Sequence, residues 1–139
     1  MLKTAIMRRV RTVSVSCAGA AAVLLSAAAA RPSALDQTSP GLWELSGLPN
    51  AGAAVRQCVG DTAALARVEH RGQSCTQVVI KDNPTWTEIH YTCTAGGFGR
   101  SKLTVLTPRS LRIETQGISA KSPFNYTVQA RRVGGCSAH

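Results

Sequence analysis

The chain has 139 residues, with 16 Lys and Arg against 7 Asp and Glu and only two each of Trp, Tyr and Phe. This length accommodates one domain, whose core has few aromatic side chains. The cations are scattered, with no run longer than Arg131-Arg132, which favours a solvated surface of mixed charge over a nucleic-acid-binding segment.

Residues 1–30 predict a secretory signal peptide. Residues 1–11 carry four cations and no acid, the stretch 12–30 is uncharged and rich in Ala, and SAAAA at its end predicts cleavage after Ala30. The uncharged stretch is also just long enough for a membrane anchor, an alternative that the Ala-rich composition and the cleavage pattern disfavour. We therefore expect a periplasmic or secreted protein with no transmembrane segment after cleavage. The mature chain would keep twelve of the 16 Lys and Arg residues and all 7 Asp and Glu residues.

The mature chain begins with a polar, proline-containing segment, residues 31–38, that predicts a disordered lead-in to a single domain at 39–136. GLWELSGL predicts a first strand that ends at Pro49, and AVRQCV predicts a second one. Asp61 or Thr62 can cap a short helix through AALARVE, the one helix that the sequence supports.

Four cysteines remain after cleavage: Cys58, Cys75, Cys93 and Cys136. An even number in a small exported domain predicts disulfides, and the wide gaps between these cysteines are unlike the paired spacing of structural zinc sites. Cysteine count alone leaves three connectivities open.

The stretch CTQVVIKDNPTWTEIHYTC predicts a hairpin with a cysteine at each end. A three-residue loop centred on Pro84 pairs residues whose numbers sum to 168, so Asp82 faces Trp86 and Cys75 faces Cys93. Facing residues in antiparallel strands are close enough for a disulfide after a small adjustment.

The turn of this hairpin has no glycine, so a slip of the register by one residue is the open alternative, and it would separate the two cysteines. If the predicted register holds, elimination leaves Cys58–Cys136, which ties the second strand to the C-terminal end of the domain.

SKLTVLT and LRIETQ flank Pro108-Arg109-Ser110 and predict another hairpin, with one apolar and one polar face. Pairing at a sum of 218 places three residues, Leu103, Val105 and Thr107, opposite Thr115, Ile113 and Leu111. FNYTVQARRV predicts the last strand. We therefore expect a mainly β fold: an antiparallel meander of six or seven strands, curled into a sandwich or partial barrel, with one short helix and two disulfides.

No catalytic, metal-binding or cofactor-binding motif is found. His70 falls in a predicted loop, His90 in a strand and His139 at the end of the chain, with no spacing that forms a zinc or nucleophile site. The glycines of TAGGFGR, residues 94–100, do not match a phosphate-binding loop and predict a turn or bulge. The sequence predicts that Trp43, Trp86 and Tyr91 belong to the core.

The segment SPGLWE at residues 39–44 resembles the P-G-x-W-E opening of a family of small exported bacterial proteins, catalogued as a domain of unknown function. CVGD at residues 58–61 is similar to the cysteine and acidic helix start that follow in that family, although the stretch between these two segments is shorter here. The resemblance covers about residues 39–136 and implies an exported β-rich domain, without implying catalytic residues.

The sequence therefore favours a non-enzymatic binding or envelope-associated protein. We expect no cofactor and no nucleic-acid binding, and we expect its partner to be an envelope protein or a ligand that the sequence does not identify. The alternative is an inhibitor of an extracytoplasmic hydrolase such as lysozyme or a protease, with TAGGFGRS as the loop to test. Tyr91-Thr92-Cys93 is similar to a motif of lysozyme inhibitors, but the basic charge opposes binding to basic lysozymes. A small hydrolase that uses His90 is the third alternative.

Overall fold

The computed structural model describes residues 31–137, which form one sheet of seven antiparallel strands in the order β2-β1-β7-β6-β5-β4-β3. The strands are β1 (Gly41–Ser46), β2 (Val55–Val59), β3 (Cys75–Asp82), β4 (Trp86–Cys93), β5 (Phe98–Thr107), β6 (Ser110–Ser119) and β7 (Ser122–Gly134). The mainly β fold is thus confirmed. The predicted signal peptide, its cleavage site at Ala30, and His139 lie outside the described residues.

The sheet curls around a 3₁₀ helix, Thr62–His70, which joins β2 at one edge to β3 at the other. This helix packs against β2 and also against β4, β5 and β6. All seven strands belong to one sheet that a single helix covers, which corresponds to the partial barrel and not to a sandwich of two sheets.

The hydrophobic core fills the space between the helix and the inner face of the sheet, by which we mean the face turned toward the helix. Trp43 and Leu45 of β1, Ile113 of β6 and Leu65 of the helix are completely buried. Alternate residues of each strand point to this face, so the burial follows the period of two that antiparallel strands with one covered face show. None of the helices within residues 31–137 is long and apolar enough to cross a membrane.

The helix begins where the sequence predicts. Asp61 is its N-cap, and the Asp61 carboxylate accepts a hydrogen bond of 3.0 Å from the Ala63 backbone N–H. The segment kinks at Arg67, whose φ and ψ of −102° and 34° are not helical, and it ends at His70 before the turn at Gly72.

The predicted disordered lead-in is wrong. Residues Ser33–Gln37 form a 3₁₀ turn, and Leu35 is completely buried in the core. The Ser33 backbone N–H donates to the Asp82 carboxylate at 2.7 Å, and the Thr38 hydroxyl donates to the Leu35 carbonyl at 2.7 Å. A polar composition with prolines suggested disorder, but one buried leucine and these hydrogen bonds hold the segment against the sheet.

The hairpin β3–β4 has the predicted register at its cysteine end, where Cys75 faces Cys93. Toward the turn the register shifts by one residue between Val79 and Lys81, so Asp82 faces Thr87 and not Trp86. The shift is a β-bulge, in which one extra residue is left unpaired on β3. The bulge lies away from the cysteines and therefore leaves their pairing intact.

The register predicted for β5 and β6 is wrong by two residues. Leu103 faces Ile113 and Val105 faces Leu111, so paired numbers sum to 216. The turn is tighter than the three residues expected, and a bulge at Leu106 takes up the difference. A shift of two keeps every side chain on its predicted face, which is why the apolar and polar faces were identified correctly.

Both predicted disulfides are present. Cys75–Cys93 joins facing residues of β3 and β4 with a Cα–Cα distance of 3.9 Å, and Cys58–Cys136 joins β2 to the residues after β7 at 5.6 Å. All four cysteines within the described residues are therefore disulfide-bonded and hold no thiolate for a metal ion.

Candidate binding site

The structure brings His70 into a buried polar cluster and leaves His90 exposed. His70 is the last residue of the helix, not part of a loop, and its Nδ1 lies 3.1 Å from the Tyr91 hydroxyl. His90 lies on the outer face of the sheet, the face turned away from the helix, and its Nε2 is 4.0 Å from the Glu88 carboxylate. The two histidines thus lie on opposite faces of the sheet and do not form one site.

The buried cluster holds the inner face together near the end of the helix. The Tyr126 hydroxyl donates to the Glu69 carboxylate at 2.6 Å. Burial raises the pKa of Tyr91 to about 12, and burial together with the bond to Glu69 raises the pKa of Tyr126 as well. Because the His70 ring is only 2% exposed, it cannot contact a substrate, and the cluster is structural.

Two of the three predicted core aromatics are in the core. Trp43 and Tyr91 are buried on the inner face. Trp86 is different, because it is half-buried on the outer face, where the Lys102 Nζ lies 4.7 Å from the centre of its ring. Trp86 and Tyr91 are five positions apart on one strand, so alternation alone places them on opposite faces, and only one of them could belong to a core on one face of the sheet.

The outer face contains a hollow of about 540 Å³ near the loop at residues 94–97, which we call the glycine hollow. Gly99 of β5 and Gly117 of β6 face each other across its floor. The next cross-strand pair on one side is apolar, Phe98 opposite Ile118. This volume is within the range of small-molecule sites, about 300–1,000 Å³.

Tight packing explains why both floor positions are glycine. A Cβ atom at Gly117 would lie 2.7 Å from the Gly99 Cα and 2.9 Å from the Phe124 ring, and it would collide with the Phe98 carbonyl. A Cβ at Gly99 would collide with the Tyr91 ring below. Because Tyr91 and Phe124 lie on the inner face beside His70, both Cβ positions point inward, and the two strands approach closely only without these side chains. The sides of the hollow are formed by the outward side chains of neighbouring residues, among them Phe98 and Arg100.

The other end of the glycine hollow is polar. Arg100 and Gln116 face each other there, and Asn125 of β7 lies beside them. The Arg100 guanidinium donates to the Glu88 carboxylate at 2.8 Å, and this hydrogen bond holds the pKa of Glu88 below its usual value although burial opposes it. The pair fixes the position of Arg100 at the polar end.

A second depression of about 350 Å³ continues from the polar end along the outer face. It is lined by charged side chains, among them Lys102 and Glu114, and shares Arg100 with the glycine hollow. The two depressions form a groove that changes from apolar to charged along its length. Such a surface is complementary to a ligand that carries an apolar group beside a polar or anionic group.

The groove is not predicted from the sequence. The glycines of residues 94–100 predict a turn or bulge, but the strand β5 already begins at Phe98. Gly99 and Gly117 both lie just outside the predicted strands SKLTVLT and LRIETQ, whereas the structure extends both strands and pairs the two glycines. Their pairing also depends on the length of the turn, since the predicted register, if extended, would place Gly99 opposite Ser119.

Within the described residues, no group of three or more His, Cys, Asp and Glu side chains is arranged to hold a metal ion. Comparisons with protein-family models, with curated proteins and with solved structures find no match. The resemblance of residues 39–61 to the P-G-x-W-E family therefore stays a prediction.

Proposed function

We propose that this chain is an exported, non-enzymatic binding domain, and that the glycine hollow is its ligand site. The observation that carries the proposal is the hollow itself, which has an apolar end at Phe98 and Ile118 and a polar end at Arg100. Phe98 is 53% exposed, although a large aromatic side chain is normally buried. An exposed aromatic beside an open hollow is a typical anchor for a ligand.

Two further observations support export. The two disulfides need an oxidising compartment in order to form and persist. The predicted signal peptide at residues 1–30 would deliver the chain to such a compartment. The periplasm or the extracellular medium is therefore the proposed location.

The ligand class follows from the two ends of the hollow. Phe98 and Ile118 would contact an apolar group, and burial of that group supplies affinity. Arg100 and Asn125 would bind a carboxylate, sulfonate or amide oxygen on the same ligand, and these polar contacts orient it. We propose an amphipathic small molecule, or a short peptide segment that has an apolar side chain next to an acidic one.

A fluorescent amphiphile tests this proposal directly. The full chain, purified as the exported disulfide-bonded form, is titrated with anilinonaphthalene sulfonate, which combines aromatic rings with a sulfonate. Phe98→Ala should weaken binding by about tenfold or more, because it removes the largest apolar contact. The matched control is Leu106→Ala, which removes an equally exposed apolar side chain, 54% against 53%, from the same strand outside the hollow.

The control should bind the probe as the unsubstituted chain does. Equal loss in both variants, or no saturable binding by the unsubstituted chain, would contradict a ligand site in the glycine hollow. Near-ultraviolet circular dichroism of each variant shows that the packing around Trp43 is retained, since the same probe also binds partly unfolded chains.

Exposure of Phe98 at the end of the loop at residues 94–97 also supports the second candidate, inhibition of an extracytoplasmic hydrolase. A rigid loop followed by an exposed aromatic can insert into an enzyme cleft. Residual activity of a lysozyme and of a serine protease, measured with a molar excess of the protein, distinguishes this candidate from simple ligand binding. Inhibition that Phe98→Ala abolishes would favour it, and full residual activity of both enzymes would count against it.

A further inference from the structure

The strand β3 forms one of the two edges of the sheet, and its exposed side chains are apolar. Within residues 31–137, β3 pairs with β4 alone. Three consecutive residues, Val78, Val79 and Ile80, are 61%, 38% and 45% exposed, although side chains of this kind are normally buried. An exposed apolar edge strand is a ready template for pairing with another strand.

The other edge strand, β2, is better protected against such pairing. It has only five residues, and its Arg56 side chain is 65% exposed. Short length and an exposed charge both discourage pairing with another chain. On β3 the corresponding protection lies at one end, where a bulge leaves Ile80 unpaired and the charged Lys81 follows. Residues 75–79 therefore remain an open edge.

The hydrogen-bond pattern shows which backbone groups of β3 point away from β4. The Thr94 backbone N–H donates to the Ser74 carbonyl at 3.0 Å, so these two residues belong to a hydrogen-bonded pair. Hydrogen-bonded and non-hydrogen-bonded pairs alternate along an antiparallel ladder. Gln77 and Val79 lie three and five positions after Ser74, so both belong to non-hydrogen-bonded pairs. Their backbone N–H and C=O groups therefore point outward from the edge.

We propose that β3 pairs antiparallel with β3 of a second copy of this chain, about a two-fold axis at Val78. In this register Gln77 faces Val79 of the second copy, and the two symmetry-related pairs exchange hydrogen bonds through their outward backbone groups. The two Val78 side chains then face each other in a non-hydrogen-bonded pair, in which side chains are closest. Val78 is the most exposed of the three apolar residues, so it gains most from this contact.

The charges along β3 favour a second copy as the occupant. Residues 75–80 carry no charge, and Lys81 and Asp82 of opposite sign follow at one end. Antiparallel pairing at Val78 places the two Lys81 residues at opposite ends of the contact, about 20 Å apart for six residues at about 3.3 Å each. Salt at 0.1 M screens exposed charges beyond about 10 Å, so two basic chains do not repel each other at this contact. The second copy presents an apolar segment of matching length.

The proposed contact is small and closed. Pairing of two short strands buries less than a standard interface of about 1,600 Å², so we expect a dimer that dissociates on dilution. Each copy uses its open edge in the same contact, so association stops at two copies. The residues that line the glycine hollow belong to β4, β5, β6 and β7, so this inference does not rest on the proposed ligand site.

Sedimentation equilibrium of the full disulfide-bonded chain, between about 1 µM and 1 mM, measures the dissociation constant of the dimer. Val78→Lys should raise this constant by about a hundredfold or more, because both copies lose an apolar contact and two ammonium groups face each other. The matched control is Leu106→Lys, which places the same charge at a similarly exposed apolar position, 54%, on the interior strand β5. The control should dimerise as the unsubstituted chain does.

Val79→Pro tests the backbone pairing itself. Because the Val79 N–H points outward, proline removes a donor of the dimer and leaves the ladder with β4 intact, which is where edge strands tolerate proline. This variant should be monomeric over the same concentrations. Near-ultraviolet circular dichroism shows whether each variant is folded, and if Val79→Pro is not, Val78→Lys and its control decide the question.

Several results would overturn the proposal. One is an unsubstituted chain that stays monomeric at all concentrations, and another is an equal effect of Val78→Lys and Leu106→Lys. Assemblies that grow beyond two copies would show unspecific association and would also count against it. If the chain is monomeric, binding of a synthetic peptide of alternating threonine and valine, abolished by Val78→Lys, would identify a foreign strand as the occupant instead.

Discussion

Leu35→Ala tests the segment in which the structure differs most from the sequence-based prediction. A disordered lead-in would tolerate this substitution, whereas the structure buries Leu35 completely in the core. Removal of three carbon atoms costs about 2.4 kcal/mol of transfer free energy, at about 0.8 kcal/mol for each. With the cavity that remains, buried leucine-to-alanine substitutions cost about 3–5 kcal/mol. The free energy of unfolding of a domain this size is about 5–15 kcal/mol, so the loss is large.

The measurement is urea denaturation of the disulfide-bonded chain, followed by tryptophan fluorescence, with thermal unfolding as a second readout. We expect a melting temperature lower by roughly 12 °C, at about 4 °C for each kcal/mol. Leu106→Ala is the matched control, because Leu106 is 54% exposed, and it should change stability by less than about 0.5 kcal/mol. If Leu35→Ala were as mild as this control, residues 31–38 would not be packed against the sheet and the reasoning would be refuted.

Three further predictions follow from the disulfides, the glycines and the tyrosines. Dithiothreitol should reduce the exposed Cys58–Cys136 disulfide before Cys75–Cys93, because Cys93 is buried. Alkylation and mass spectrometry would show the order of reduction, and the reverse order would contradict an effect of solvent exposure. Gly117→Ala should destabilise the fold by about 1–3 kcal/mol in urea, because its Cβ has no space, while Gly60→Ala, where space is open, should stay within about 0.5 kcal/mol. The Tyr91 pKa is raised from 10.0 to about 12, so the stability that its burial adds is complete below pH 10 and is lost as the pH rises through about 12. Absorbance at 295 nm after a pH jump to about pH 10 should show no ionisation of either tyrosine in the folded chain, and ionisation of both after unfolding in guanidinium. Ionisation of the folded chain at pH 10 would contradict the prediction.

The candidate site was less predictable from the sequence than the fold. The sequence identified the polar face of β5 and β6 with Lys102, Glu114 and Gln116, because alternation along a strand is a local property, but Arg100 fell in the segment predicted as a turn or bulge. It did not identify the glycine hollow, because Gly99 and Gly117 are 18 positions apart and face each other only in one register.

The sequence by itself determined the features that depend on neighbouring residues. Alternating β-branched and polar residues specify strands and their faces, and Asp61 specifies the start of the helix. The pairing of Cys75 with Cys93 also belongs here, because the two cysteines are joined by one local hairpin, and elimination then gave Cys58–Cys136.

Only the tertiary structure decided the features that depend on distant segments. The bulge sets the register of β5 against β6, the packing of one helix against β2, β4, β5 and β6 covers the inner face, and burial of Leu35 orders residues 31–38. These outcomes depend on packing and on turn geometry. Each residue changes the free energy of folding only slightly, so the sum over the whole core decides which arrangement is the most stable. The glycine hollow arises from that sum, because it is formed by strands that meet only when the sheet is complete.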